Sequence, residues 1–74
     1  MVLSPKAARV NKGLTQAEIA QLMEVSIGTV QRLESDIRRA RADHIIRFAE
    51  ITGADPNDLL LSSDPSFAGT GQAS

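Results

Sequence analysis

The chain has no cysteine, no tryptophan and no tyrosine, and only two phenylalanines, Phe48 and Phe67. Without cysteine, neither a disulfide nor a thiolate zinc site can staple the fold. With so few aromatics, a core within 74 residues must be aliphatic and compact, which suits one small helical domain. His44 is the single histidine, and Asp43 beside it on a helix faces another way. No nucleophile–base pair, glycine-rich phosphate loop or metal-ligand cluster is present, so the expectation is no enzyme, no catalytic residue, no metal and no cofactor. His44 reads as a surface or half-buried residue. No apolar run reaches the length of a membrane span or of a signal peptide. The expected protein is soluble and cytoplasmic, with no membrane partner and no evident small-molecule ligand.

Charge is scarce in one half of the chain. The formal net charge of −1 argues against a nucleic-acid partner until its distribution is considered. Residues 1–47 hold all eight bases against five acids, a net of +3. Residues 48–74 hold Glu50, Asp55, Asp58 and Asp64 and no base, a net of −4. A basic front and an acidic back make a dipolar molecule, and a phosphate backbone meets the local field.

Capping signals divide the chain into five short helices. Ser4-Pro5 opens the first, and Gly13 closes it. Two turns are unstable alone, so packing must hold them, with Ala7, Val10 and Leu14 the expected contacts. Thr15 caps a second helix, Gln16 to about Met23, with Glu18 completing a capping box. Ser26 caps a third, Ile27 to about Ser35. Asp36 to Arg41 reads as a loop with three arginines. The fourth runs from about Ala42 to Thr52, with Ala42, Ile45, Ile46 and Ala49 as its expected buried stripe, Phe48 and Ile51 to one side, and Gly53 as stop. Asp55-Pro56 starts a fifth, through about Leu61. These helices make one domain, 1–61. Residues 62–74, small and polar, read as a disordered tail or linker.

The stretch Gln16–Ser35 organises the rest. Ile19, Ala20 and Met23 form one helix face, Val25 plugs the turn, and Val30 and Leu33 point back to the same core. Ala20 is small enough to let the two helices approach. Together with Gly13-Leu14-Thr15-Gln16, Glu18, Ser26, Arg32, Glu34, Ile45, Ile46, Ala49, Gly53 and Leu59-Leu60, this pattern resembles the helix-turn-helix of the phage repressor and Cro family of transcriptional regulators. The resemblance covers roughly residues 6–61. It departs from the family at Glu24, where glycine is usual because the backbone tends to be left-handed.

The resemblance implies an all-α bundle of five short helices, the second and third forming the helix-turn-helix, and a regulator that reads double-stranded DNA with the third helix in the major groove. It implies base reading by Ser26, Ile27, Gly28, Gln31 and Arg32. Gln31 would pair with adenine, Arg32 with guanine, and Ile27 would touch a thymine methyl. Gln16, at a helix N-terminus, would contact a phosphate. Arg38, Arg39 and Arg41 are candidate phosphate clamps. Arg9 and Glu34 match a structural ion pair. A homodimer on a two-fold operator is implied, with Ile51, Leu60 and Leu61 as interface candidates. Two rival readings keep the same fold. One is an antitoxin-like or partner-binding protein-interaction module with weak or no DNA affinity; the other is the N-terminal piece of a larger repressor, with 62–74 as its linker.

Overall fold

A computed structural model describes residues 2–63; Met1 and residues 64–74, most of the expected tail, lie outside the described residues. Among the described residues there are five α-helices and no strand: α1 (Pro5–Lys12), α2 (Gln16–Met23), α3 (Ile27–Ser35), α4 (Ala42–Thr52) and α5 (Pro56–Leu61). A single 3-10 turn, Ile37–Arg39, joins α3 to α4. No described helix is long and apolar enough to cross a membrane.

Local chemistry sets the ends of these helices. Ser4, Thr15, Ser26 and Asp55 each accept a backbone N–H from the first turn of the helix that follows, satisfying a donor the helix itself cannot. At α2 the bond is reciprocal. Glu18 N–H donates to the Thr15 hydroxyl at 3.1 Å, and Thr15 N–H donates to the Glu18 carboxylate at 2.8 Å. Hydrogen bonding to the carboxylate, from the Thr15 backbone N–H first and the Thr15 side chain second, holds the Glu18 carboxyl below its ordinary value of 4.5. Gly13 and Gly53 end α1 and α4 in the left-handed conformation.

The core centres on Phe48, Ile19, Leu33, Leu59 and Val30, each fully buried. Ala8, Ala20, Met23, Ile37, Ile45 and Ala49 complete it. In α4 the buried residues are Ile45, Phe48 and Ala49, with half-buried Thr52 continuing the stripe. Ala42 is exposed and Ile46 is 52% exposed, so the buried face of the helix is turned by about 60° from the expected stripe. The large Phe48 ring takes the centre of the bundle, which no aliphatic side chain of α4 fills as completely. In α1 the inward residues are Pro5, Ala8 and Arg9, spaced i, i+3 and i+4, while Val10 is 56% exposed and Ala7 half-buried. The basic loop is also more ordered than its composition suggests. Ile37 is buried at its centre and anchors the 3-10 turn, leaving the neighbouring arginines outside.

Candidate nucleic-acid interface

α2 and α3 pack through Ile19, Ala20, Met23, Val30 and Leu33, all buried. Between them the chain turns at Glu24 with φ 60° and ψ 43°, the only positive φ at a non-glycine among the described residues. The left-handed turn is kept although glutamate replaces glycine, because Glu24 and Val25 N–H close the end of α2 onto the Gln21 and Ala20 carbonyls at 3.1 and 3.0 Å. That geometry costs a residue with a Cβ about 1–2 kcal/mol.

The turn leaves one face of α3 open. Ser26, Ile27, Gln31 and Arg32 are exposed, and Gly28 is half-buried. Ser26 is engaged in capping: its hydroxyl accepts from Thr29 N–H at 3.3 Å and shares a bond with the Thr29 hydroxyl at 3.1 Å. A methyl group at Gly28 would meet only the Ser26 hydroxyl oxygen, at an ordinary 3.8 Å. Nothing inside the fold therefore requires glycine there; the missing side chain faces outward. Ile27, 45% exposed, is an apolar group on an otherwise polar face.

Behind this face runs a chain of side-chain hydrogen bonds. Arg9 donates to both oxygens of Glu34, and the two side chains are 10% and 7% exposed. A third Arg9 N–H reaches the Leu14 carbonyl at 2.9 Å. The Gln16 amide donates to Glu34 at 3.1 Å and accepts from the Gln31 amide at 3.5 Å. The start of α2 is thereby tied to the exposed face of α3 through polar groups rooted in the core. No buried side-chain polar atom of the described residues lacks a partner.

A cleft of about 550 Å³ opens beside α3, lined by Thr29, Arg32, Leu33, Ser35, Asp36, Arg39, Ala40, Arg41 and His44. Arg39 pairs with Asp36 at 3.3 Å, and Arg41 donates to both oxygens of Asp43 at 3.1 and 3.2 Å. These pairs are exposed and individually weak. No carboxylate pairs with Arg32 among the described residues. Arg38 is directed elsewhere, donating to the Ser63 hydroxyl at 2.9 Å, so the three loop arginines do not act as one cluster. The structure thus gathers Gln16, Gln31, Arg9 and Glu34 in one network and Arg32, Arg39 and Arg41 around one cleft. Ile51, Leu60 and Leu61 are half-buried, and the first two pack against the core.

The polar cleft residues Thr29, Ser35, Asp36 and His44 were not among the expected site residues. Their spacing carries a partial signal: Thr29, Arg32 and Ser35 recur every third residue on α3, and Arg41 and His44 stand three apart at the start of α4. What spacing cannot show is that these two rows face each other.

A helix-turn-helix family model matches residues 6–59. The chain belongs to the Cro/C1-type helix-turn-helix family, a family of DNA-binding transcriptional regulators rather than of enzymes. Comparisons with curated proteins and with solved structures returned no match. Within the family assignment, α2 and α3 are the two helices of the motif.

Proposed function

We propose that the protein is a sequence-specific regulator of the repressor or Cro kind, reading the major groove with α3. The observation that carries this reading is the open face of α3, where Gln31 is already held by Gln16 and Arg32 stands without a carboxylate partner. A glutamine amide fits adenine, a guanidinium fits guanine, and Ile27 fits a thymine methyl. Gly28 allows the helix backbone to approach the base edges. Ser26 joins this surface as a cap that holds the first turn of α3. Gln16, Arg39 and Arg41 flank it and supply phosphate contacts; Arg38 does so after releasing Ser63.

In this reading the protein acts as a homodimer, with Ile51, Leu60 and Leu61 at the α4–α5 end supplying apolar area. Footprinting on duplexes selected from random sequence is the test. The expected result is two protected half-sites about one helical turn, roughly 10 base pairs, apart. A single asymmetric site protected by a monomer at every concentration contradicts the dimer.

Ile27 supports a second reading. An exposed isoleucine on the motif's outer face, beside a single cation on α3, also suits a protein partner. Absence of duplex binding at low salt would favour it.

A further inference from the structure

We propose that the cleft between α3, the 3-10 turn and α4 seats one phosphate group of the DNA backbone, and that His44 is a ligand of that phosphate. The inference rests on the DNA-binding reading above, and to the phosphate contacts of Arg39 and Arg41 it adds a residue, His44, and a dependence on pH.

His44 is half-buried and lines the cleft, on the first turn of α4. Charged groups approach it from each element around the cleft, and on α4 itself Arg47 stands three residues further on, in an exposed pair with Glu50 at 3.7 Å. From α3 comes Arg32; from the 3-10 turn and its approach come Arg39 and Asp36; from the residue before α4 comes Arg41; and on its own helix Asp43 stands beside it. The neutral lining is Leu33 and Ala40, with the hydroxyls of Thr29 and Ser35. Three arginines thus line the space against one aspartate. Two of the three hold exposed carboxylates, with Arg39 and Asp36 side chains 89% and 52% exposed and Arg41 and Asp43 74% and 63% exposed. Exposed pairs are weak, so a phosphate diester, which carries one negative charge and two non-bridging oxygens as a carboxylate does, can take the place of Asp36 or Asp43 on these arginines. Arg32 lies on the rim shared with the groove-reading face, so a phosphate in the cleft would lie beside the bases that α3 meets.

An imidazole at this place adds a function the arginines cannot supply. Arginine is charged at every working pH, whereas histidine is the side chain that commonly takes up a proton between pH 5 and 8. A phosphate diester keeps its charge across that range. Seating one beside His44 favours the imidazolium, so binding should be accompanied by proton uptake, and affinity should rise as pH falls. His44 is the only histidine in the chain, which makes the effect assignable.

The test is the affinity of the full chain for a duplex at pH 6 and pH 8 at constant ionic strength, for the wild type, His44→Gln and His44→Arg, with a melting curve for each at both pH values. The wild type should bind about fivefold tighter at pH 6, the difference between a charged and a neutral hydrogen bond. His44→Gln should lose that dependence and bind at pH 6 as the wild type does at pH 8. His44→Arg should bind tightly at both. Equal pH dependence in folded His44→Gln overturns the proposal while leaving the DNA reading intact. Failure of the wild type to bind any duplex at either pH removes both. A parallel titration follows the His44 ring signals by NMR with duplex and, separately, with inorganic phosphate alone. The signals should move with duplex at concentrations where equal inorganic phosphate leaves them in place; movement with inorganic phosphate but not with duplex overturns the DNA backbone as the source.

Discussion

Arg9 and Glu34, 25 positions apart, form a two-bond ion pair that joins α1 to the last turn of α3, with both side chains nearly out of water. Glu34 also receives the Gln16 amide, and Arg9 also satisfies the Leu14 carbonyl. The pair therefore fixes three segments at once and sets the position from which α3 presents its outer face.

Removing one partner strands the other charge. Arg9→Ala is expected to cost about 3–5 kcal/mol, since a half-broken buried pair leaves an uncompensated carboxylate. The double variant Arg9→Met/Glu34→Leu should cost less than the sum of Arg9→Met and Glu34→Leu made singly. It should not reach wild-type stability, because the Leu14 carbonyl and the Gln16 amide lose their partners. Chemical denaturation of the four proteins in one cycle checks this.

Glu24 holds a left-handed backbone that glycine adopts freely. Glu24→Gly should raise stability by roughly 1 kcal/mol, about 4–8 °C in melting temperature for a domain of this size. Thermal melts of the two proteins measure it. An unchanged or lower melting temperature would mean that the relief of strain is outweighed by the extra freedom of glycine in the unfolded chain.

Gly28 should behave in the opposite sense for stability and function. Its φ is not in the left-handed region and a methyl group meets only an ordinary contact, so Gly28→Ala should stabilise α3 by about 0.5–1 kcal/mol. The same methyl lies on the face proposed to approach the bases and should weaken operator binding. Melting and binding measured on one preparation separate the two effects.

Phe48 and Ile46 test the packing of α4. Phe48→Ala should cost about 3–5 kcal/mol. Ile46→Ala should change stability by about 0.5 kcal/mol or less, as expected of an exposed position. Denaturation midpoints decide between this arrangement and one in which Ile46 is inside.

The helix boundaries were legible because their determinants are local. Ser4, Thr15, Ser26 and Asp55 each announce a start within three residues, and Gly13 and Gly53 announce a stop. The rotation of α4 was not, since Ala42-Ile45-Ile46-Ala49 and Ile45-Phe48-Ala49-Thr52 are both valid 3.6-residue stripes. Only the space available to a phenyl ring among Ile19, Val30, Leu33 and Leu59 selects the second. Ile37 was hidden by its basic neighbours, which shape a polar composition but not the direction of one side chain. At the candidate site, the exposed positions on α3 followed from helical spacing. The bond from Gln16 to Glu34 and the cleft around His44 did not, because each arises where segments distant in sequence meet.

The central claim is that α3 reads bases while its flanks hold phosphates. It is tested most directly by titrating wild type and Arg32→Ala against a selected duplex and its scrambled counterpart over a range of salt. Log affinity of the wild type should fall with log salt at a slope of about −4 to −5 for roughly four to six phosphates neutralised per dimer. Arg32→Ala should lose about 1–3 kcal/mol on the selected duplex and little on the scrambled one beyond the effect of one charge. Equal losses on both duplexes would make Arg32 a phosphate contact, and salt-independent affinity or no duplex binding at low salt would contradict the claim outright.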